Sequence, residues 1–385
     1  MSDPKYLTYT PWQGDWNNTR MCFETALILA HISRRCLVLP QSYRREHEPQ
    51  VEGGRFRPLH PDEYFDLQSL KTIVPWIEYE EYDRLTTARQ QADRVDLAIQ
   101  NGTAVFCYPN KPALHTPEDR RLRDFAASRR CFLEITPEME SCGTLNLANG
   151  TLEHFYSFFF FLDAAKELEC KRLIRDHIRY RSIIDFTASR IAASIGDYCA
   201  LHVRRNDFFG LYPEQNISID RMLGNVLMRI PAKSQMYIAS DERDRVFFHE
   251  LSKYYRLWFI EDFAKLLPDD LSPGRVACVE QMICAFARVF VGTRFSTFSA
   301  YITRLRGYRG AADQNTYFTD GLPGSEVDSH GSPPFSWINW LKMGYPMWGR
   351  EFREGWDFNG LAGPDCSAEA SVLSSNSQSA DGPAA

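Results

Sequence analysis

A histidine and two arginines follow an apolar strand near the middle of the chain, at residues 198–207. The run reads Tyr-Cys-Ala-Leu-His-Val-Arg-Arg-Asn-Asp. Because side chains alternate along a strand, His202 and Arg204 project to one face and Arg205 to the other. Open α/β sheets bind ligands at the carboxyl ends of their strands, and guanidinium groups there can clamp a phosphate bidentately. The pattern predicts an anion site, with a surface turn of solvated arginines as the alternative.

A second candidate anion site is a helix start that follows a short apolar strand, in which Gly292 supplies the turn. Ser296 or Thr297 is suited to cap this helix, which we expect to end at Arg306 with Gly307 as its C-cap. The free N–H groups of a helix start favour an anion. Further donors for phosphate oxygens are the hydroxyls of Ser296, Thr297 and Ser299. Ordinary helix capping is the alternative for these hydroxyls.

The third candidate lies at the start of the chain, where the order strand, loop, helix, strand predicts a βαβ unit. The first strand is Tyr6–Tyr9, and Pro40 stops the next strand at 36–39. Apolar residues between 21 and 32 follow the spacing of a helix. The loop and the first helical turn offer polar side chains to a cleft, namely Asp15, Asn17, Asn18 and Arg20.

These motifs, in this order, resemble those of the O-fucosyltransferase family, which transfers fucose from GDP-fucose. The resemblance rests on Gly-Asp-Trp-Asn-Asn-Thr-Arg at 14–20, His-Val-Arg-Arg-Asn-Asp at 202–207, Tyr-Ile-Ala-Ser-Asp-Glu at 237–242 and Phe-Val-Gly-Thr-Arg-Phe-Ser-Thr-Phe-Ser at 290–299. Two positions depart from the family pattern. Asn206 stands where many relatives carry glycine, and Gly-Asp-Trp replaces the Gly-Gly-Leu of plant-type members.

The resemblance implies an α/β protein of GT-B architecture, with two facing Rossmann-like domains and the site in the cleft between them. Alternating helices and strands between 183 and 306 also predict a parallel, doubly wound sheet. We expect a first domain at 1–165 and a GDP-sugar-binding domain at 178–312, joined by a helical link. We expect the aromatic-rich segment 313–360 to pack back onto the first domain, with a wall for an acceptor as the alternative. The tail at 361–385 is expected to be disordered.

The resemblance also implies an inverting transfer of fucose to a hydroxyl acceptor, either a protein Ser/Thr or a glycan. It assigns Arg204 to the β-phosphate of the donor and His202 to the nucleotide. The sequence contains no Asp-x-Asp motif, so we expect no metal and expect Arg204 and the helix start to stabilise the departing GDP. The full set of candidate donor-binding residues is His202, Arg204, Arg205, Asp207, Asp241, Ser296, Thr297, Phe298, Asn17 and Asn18.

The acceptor hydroxyl needs a general base, and a carboxylate near the opening loop is the natural candidate. Asp15 falls where thrombospondin-type-repeat members of the family place a glutamate, although aspartate beside glycine is also common in turns. Asn18 matches the opening-loop asparagine of members that act on EGF repeats, and a one-residue shift would select Asn17 instead. With Arg204, Asp15 and Asn18 are the catalytic candidates. Asp241 could hold the ribose, orient Arg204 or cap the helix that follows it.

Composition excludes several classes of protein. The 385 residues are 44% hydrophobic and 14% aromatic, which is ample for two cores. A formal net charge of −6 argues against a general nucleic-acid binder. No apolar run reaches the roughly 18 residues that stable membrane insertion needs. The chain opens without a signal-peptide pattern, and its ten cysteines lack metal-type spacing, so we expect reduced thiols and a cytoplasmic protein.

Two other functions stay open at this point. The same fold could use another nucleotide sugar, because the residues that select the sugar are not legible in the sequence. The chain could also be a binding protein that senses a nucleotide sugar without turnover. Retention of both Arg204 and the Ser-Thr-Phe-Ser helix start counts against that second function, since a decayed site would be free to lose them.

Overall fold

The computed structural model describes residues 4–11, 16–40, 60–86, 93–97, 105–107, 132–134, 136–147, 160–161, 164–311 and 315–319. Asp15, most of the aromatic-rich segment and the whole C-terminal tail lie outside these residues. Within them, two five-stranded parallel sheets with flanking helices confirm the predicted α/β fold of two Rossmann-like units. None of the described helices has the length and apolar character that crossing a bilayer requires.

The elements are numbered in chain order over the described residues. The strands are β1 (Tyr6–Tyr9), β2 (Cys36–Leu39), β3 (Trp76–Glu78), β4 (Arg94–Leu97), β5 (Val105–Cys107), β6 (Phe132–Glu134), β7 (Thr144–Leu147), β8 (Phe160–Phe161), β9 (Tyr198–Val203), β10 (Gln235–Ser240), β11 (Arg256–Trp258), β12 (Phe290–Gly292) and β13 (Thr316–Phe318). The α-helices are α1 (Trp16–Ile32), α2 (Tyr79–Leu85), α3 (Pro137–Ser141), α4 (Ala164–His177), α5 (Ser182–Ile195), α6 (Phe208–Leu211), α7 (Ile219–Leu227), α8 (His249–Ser252), α9 (Pro273–Phe286) and α10 (Thr297–Tyr308). Short 3-10 helices occupy Pro61–Glu63, Leu70–Thr72, Pro213–Gln215, Arg245–Phe248 and Ile260–Leu266.

The first sheet has the order β3-β2-β1-β7-β4 and is parallel throughout. Helix α1 joins β1 to β2, which confirms the predicted βαβ start. Since β1 lies between β2 and β7, the chain leaves it at the point where the strand order reverses. The first turn of α1 therefore lies at the carboxyl edge of this sheet, which is where open α/β sheets bind ligands.

The second sheet has the order β11-β10-β9-β12-β13, again parallel throughout. Strand β9 is buried at all six positions, as expected for a central strand covered by helices on both faces. The chain runs from β9 outward to β10 and β11, and then returns to β12 on the other side. The carboxyl ends of β9 and β12 thus form the topological switch point of this sheet.

One predicted helix of the second unit takes a different form. The helix expected directly after Asp241 is a 3-10 helix, Arg245–Phe248, that runs directly into α8. Its cap is Asp244, whose carboxylate accepts a hydrogen bond from the N–H of Val246 at 2.9 Å. Asp241 is not the cap, because its carboxylate is bonded to the end of the neighbouring strand.

Two predicted boundaries at the end of the second unit are also corrected. Helix α10 does not end at Arg306 but continues through Gly307 to Tyr308, and the left-handed residue beyond it is Gly310, with a φ of 72°. The second sheet extends past the predicted boundary at 312, because β13 pairs with β12 as its edge strand.

A helix precedes the second unit in the sequence, and a third, smaller sheet accompanies the two five-stranded sheets. Helix α4 forms the predicted helical link, and the parallel strands β6-β5-β8 form a separate three-stranded sheet. Helix α1 of the first unit packs against α10 of the second. Its side chains are buried along almost the whole helix, so α1 is part of the contact between the units.

Candidate functional site at the switch point

His202 is the penultimate residue of β9 and is 4% exposed. Its Nδ1 lies 2.7 Å from Oγ of Ser299, and that Oγ also accepts a hydrogen bond from the N–H of Thr293 at 2.9 Å. The Ser299 hydroxyl can donate to Nδ1, and in that tautomer the imidazole proton lies on Nε2. Burial and the adjacent Arg204 charge lower the pKa of His202 to about 3, so the ring is neutral. The site thus contains a neutral N–H donor.

Arg204 follows β9 and is held by two carboxylates. One guanidinium nitrogen pairs with Asp241, and the other lies 2.8 Å from Oδ1 of Asp207. Its backbone N–H donates to Oγ1 of Thr293 at 3.0 Å. Asp241 also accepts from the backbone N–H of Arg205 at 2.8 Å. Of the roles open to Asp241, orienting Arg204 is the one that this geometry supports.

Arg205 projects to the opposite side of the strand end. Its Nε donates to Glu242 at 3.1 Å, and its guanidinium lies 3.8 Å from the ring centroid of Phe247. These contacts suit a structural role. Asn206 has a positive φ of 40°, and its amide donates to the carbonyl of Asp241 at 2.9 Å. Asparagine tolerates this backbone region, which explains why glycine can stand here in similar sequences.

The start of α10 confirms Ser296 as the N-cap residue, with extended backbone and an ordinary helical bond from Ala300 to its carbonyl. Its hydroxyl makes no capping bond, so the N–H groups of the first turn have no intrahelical acceptor. Thr297 and Phe298 lie in this turn, and the Phe298 ring centroid is 4.6 Å from that of His202. The expectation that the Ser299 hydroxyl is a donor for phosphate oxygens is wrong, because Ser299 is fully buried and bonded to His202.

Gly292 is required for close packing. A Cβ at this position would lie 2.7 Å from Oγ of Ser299, well inside van der Waals contact. Glycine therefore allows the first turn of α10 to approach the end of β12 and to bond His202. This reason replaces the predicted role of Gly292 as a turn residue, since it belongs to the strand itself.

The first turn of α1 separates the two candidate asparagines. Asn17 is 6% exposed, and its Oδ1 accepts a hydrogen bond from Nε2 of Gln281 at 2.9 Å. Asn18 is half-buried, and its Oδ1 is shielded from solvent without a hydrogen-bond partner among the residues that the structure describes. An unsatisfied buried carbonyl needs a ligand or water. The geometry therefore favours Asn18 over Asn17 as the residue that meets a substrate.

The prediction that Arg20 faces the cleft is wrong. Arg20 lies in a buried ionic network between the units. Its Nε pairs with Glu24 at 2.7 Å, and Arg304 of α10 pairs with the other Glu24 oxygen at 2.6 Å. All three side chains are at most 1% exposed. Burial disfavours the charge of Arg20, but Tyr180, Glu24 and Tyr301 outweigh it and raise the pKa of Arg20.

A cavity of about 320 Å³ lies beside the switch point, at the carboxyl ends of β10 and β11. Glu280 of α9 faces it and accepts a hydrogen bond from the Tyr237 hydroxyl at 3.0 Å. Burial, reinforced by nearby Glu261, raises the pKa of Glu280 to about 7. The lining also includes Glu242, which follows Asp241 directly, so the cavity adjoins the Arg204 site.

Sequence reasoning missed four residues that shape this region. Thr293 ties the ends of β9 and β12 together, since its hydroxyl donates to the His202 carbonyl at 3.0 Å. Glu280 and Gln281 are adjacent polar residues in the otherwise apolar run Val-Ala-Cys-Val-Glu-Gln-Met-Ile-Cys, which was the available signal. Tyr180 gave no signal, because its partners are distant in sequence.

Two parallel α/β units with a topological switch point define a Rossmann-like fold class. The chain belongs to the GDP-fucose protein O-fucosyltransferase family, whose pattern matches residues 6–309. This match covers most of the chain and confirms the resemblance seen in its motifs.

Individual relatives match shorter parts. GDP-fucose protein O-fucosyltransferase 2 of Drosophila melanogaster is 31% identical over 136 residues, or 34% of this chain and 28% of that protein. The Homo sapiens protein of the same name is 29% identical over 136 residues, which cover 32% of this chain and 29% of that protein. The chain thus spans less than a third of the length of these curated relatives.

Two solved structures share the general outline. The crystal structure of POFUT1 in complex with GDP-fucose aligns with a TM-score of 0.49 and 16% identity, over 82% of this chain and 98% of that one. The fucosyltransferase NodZ from Bradyrhizobium aligns with a TM-score of 0.46 and 15% identity, over 79% of this chain and 94% of that one.

Proposed function

We propose that this chain is a glycosyltransferase that moves fucose from GDP-fucose to a hydroxyl group of a protein or a glycan. The observation that carries the proposal is the switch point of the second sheet. There, neutral His202 and ion-paired Arg204 lie beside the start of α10, in a chain of the O-fucosyltransferase family. Donors of this kind suit the diphosphate and ribose oxygens of a nucleotide sugar.

Arg204 is the proposed clamp for the diphosphate. Asp241 fixes the guanidinium through one nitrogen, whereas Asp207 is a more exposed partner, with 47% of its side chain accessible. An incoming β-phosphate would replace Asp207 and keep the orientation set by Asp241. The N–H groups and hydroxyls at Ser296 and Thr297 would take the remaining phosphate oxygens.

Glu280 is the proposed reader of the base. Guanine presents two neighbouring N–H groups on one edge, and a carboxylate can accept both. Uracil presents a single N–H between two carbonyl oxygens, which a carboxylate would repel. The Glu280 cavity adjoins the Arg204 site, as a base pocket beside a diphosphate clamp should.

The acceptor would approach from the first unit. Asn18 is proposed to orient the reacting groups through its unsatisfied carbonyl oxygen. Asp15 stays the proposed general base, from its position in the opening loop before α1. A base that removes the acceptor proton as the hydroxyl attacks the sugar carbon gives a single displacement with inversion.

We also propose that the reaction needs no metal. As GDP leaves, negative charge develops on the β-phosphate. Arg204 and the start of α10 supply fixed positive potential at that place, which is the task a divalent cation performs in other transferases.

We propose further that the protein acts in the cytoplasm. Seven cysteines within the described residues are free thiols. Asn17, which opens the glycosylation sequon Asn-Asn-Thr, is buried and bonded to Gln281. Microscopy of a tagged chain, combined with a gel-shift assay after glycosidase treatment, tests this location. A glycosidase-sensitive chain in the secretory pathway would overturn it.

Thermal unfolding with added nucleotides separates the donor hypotheses. We expect GDP and GDP-fucose to raise the unfolding temperature, because binding to the folded state alone stabilises it. UDP and UDP-sugars should have little effect, because they cannot satisfy Glu280. Stabilisation by UDP in place of GDP would refute the donor assignment. Stabilisation by GDP-fucose without any GDP release would support a non-catalytic binding protein instead.

A further inference from the structure

Gln281 occupies an unusual place for an amide side chain. It belongs to α9, is 1% exposed, and lies where three separate parts of the chain meet. Its Nε2 donates to Oδ1 of Asn17 at 2.9 Å and lies 3.4 Å from the carbonyl oxygen of Phe298. Its Oε1 accepts from the hydroxyl of Tyr180 at 2.5 Å. The amide therefore bridges the first turn of α1 and the first turn of α10.

The direction of these hydrogen bonds agrees with the position of Arg20. Arginine can only donate, and its NH1 donates to the Tyr180 oxygen at 2.9 Å. The Tyr180 hydroxyl donates onward to Oε1 of Gln281, and Nε2 is turned toward Asn17. The chain of donors runs from the buried arginine through Tyr180 and Gln281, and it ends on the Asn17 carbonyl oxygen.

Both turns that Gln281 joins carry parts of the proposed site. Asn17 directly precedes Asn18, whose buried carbonyl oxygen lacks a partner within the described part of the chain. Phe298 stacks against His202 with ring centroids 4.6 Å apart. The amide thus sets the distance between the side of the site that would face the acceptor and the side that would hold the donor.

We propose that Gln281 is a positioning residue, which holds the opening asparagines in register with the donor-binding start of α10. This inference rests on the proposed function. Loss of the amide should misplace Asn18 relative to the sugar, while the diphosphate clamp in the second unit stays intact. Misplacement by about 1 Å at a reacting centre lowers the rate about 100-fold. Turnover should therefore fall while GDP affinity holds.

The test compares Gln281→Met, of similar volume and without hydrogen-bonding groups, with Tyr301→Phe. Tyr301 bonds Glu24 at 3.1 Å in the same interface but does not contact Gln281 in the hydrogen bonds described. GDP release from GDP-fucose, with water as acceptor, gives kcat and KM, and calorimetry gives the Kd for GDP. We expect Gln281→Met to lose about 100-fold in kcat with an unchanged Kd, and Tyr301→Phe to lose stability without losing kcat.

A second variant guards against a folding defect. Tyr180→Phe keeps the ring stacked on Phe65, with centroids 5.6 Å apart, and removes only the hydroxyl that orients the amide. Tyr180→Phe should also lower kcat. The double variant of Tyr180→Phe and Gln281→Met should lose little more kcat than Gln281→Met alone. An active wild type with kcat unchanged in both variants would overturn this inference alone. A parallel loss of kcat and GDP affinity would also overturn it. A wild type that neither binds GDP nor releases it would overturn the proposed function, and the inference with it.

Discussion

The surroundings of the His202 ring decide what the residue can contribute. Nδ1 is bonded to Ser299, and when the Ser299 hydroxyl donates this bond the imidazole proton lies on Nε2. The low pKa, about 3, keeps the ring neutral at any physiological pH. A neutral donor beside Arg204 binds an anion without adding charge that desolvation would penalise. We therefore propose that His202 serves as a fixed hydrogen-bond donor and not as an acid or base.

The raised pKa of Glu280 gives the most specific prediction about how stability depends on pH. Its ordinary pKa of 4.5 rises to about 7 in the fold, so the folded state holds a proton that the unfolded state releases between these values. Stability should therefore fall as pH rises from 4.5 to 7, and Glu280→Gln should remove this dependence and stabilise the protein above pH 7. Unfolding free energies from denaturant titrations at several pH values measure it.

The same residue should affect GDP binding in the opposite direction. If the ionised carboxylate reads guanine, affinity falls about tenfold for each unit of pH below 7, and Glu280→Gln binds GDP weakly at every pH. The matched control is Glu250→Gln, a surface carboxylate paired with Lys253 outside this cavity, with 39% of its side chain exposed. Equal GDP affinity in the Glu280→Gln variant and the wild type would exclude the base-reading role.

At the scale of elements, the structure brings together two strand ends and two helix starts. The strand-end positions of His202 and Arg204, and the cap at Ser296, could be predicted because each depends on a local pattern of strand, turn and helix. The roles of Glu280 and Gln281 could not, because they depend on how α9 packs under the ends of β10 and α1. Periodicity places such residues on a helix but does not say which partner faces them.

The approach of α10 to β12 should be sensitive to one methyl group. Gly292→Ala places a Cβ 2.7 Å from the Ser299 oxygen, so Ser299 must shift and lose its bonds to His202 and Thr293. We expect a loss of roughly 1–3 kcal/mol in unfolding free energy and weaker GDP binding. The control, Gly224→Ala in α7, meets no atom within 4 Å and should be neutral or stabilising by about 0.5–1 kcal/mol. Equal unfolding free energy and equal GDP affinity in Gly292→Ala and Gly224→Ala would refute the packing argument.

The positive potential at the start of α10 leads to a prediction about the metal dependence of turnover. Because Arg204 and α10 are proposed to offset the charge on the leaving GDP, turnover should persist in EDTA. Ser296→Ala combined with Thr297→Ala should weaken GDP binding at least tenfold, since each charge-assisted hydrogen bond contributes roughly 1.5–3 kcal/mol. Turnover and GDP affinity are measured with and without chelator. Activity lost on chelation and restored by Mn²⁺ or Mg²⁺ would assign the leaving-group charge to a metal.

At the scale of the whole molecule, the two units meet through a buried ionic network centred on Glu24. Such a network resists separation, because either unit alone would expose or orphan charges that are at most 1% accessible. No sequence pattern indicates this contact, since Arg20 and Arg304 are distant in sequence. Arg20 was instead predicted to face a ligand. Its burial shows that a charged residue in a motif can be present for assembly of the two units.

Removing the shared carboxylate should therefore destabilise the protein severely. Glu24→Gln leaves Arg20 and Arg304 without their counter-ion, and breaking a buried pair costs about 3–5 kcal/mol. The control is Asp197→Asn, whose carboxylate pairs with Arg288 at the surface with 76% of its side chain exposed. That change should cost less than about 1 kcal/mol. Denaturant titrations compare the two, and a loss below 1 kcal/mol in Glu24→Gln would contradict a structural role for the network.

The most direct test of the central claim is GDP release from GDP-fucose by the wild type, Arg204→Ala and Arg205→Ala. The two arginines are neighbours in sequence, but only Arg204 is held by Asp241 on the side proposed to face the donor. We expect turnover in the wild type and in Arg205→Ala, and none in Arg204→Ala, whose unfolding temperature should stay close to that of the wild type. A wild type that releases no GDP, or an Arg204→Ala variant that turns over at the wild-type rate, would contradict the account.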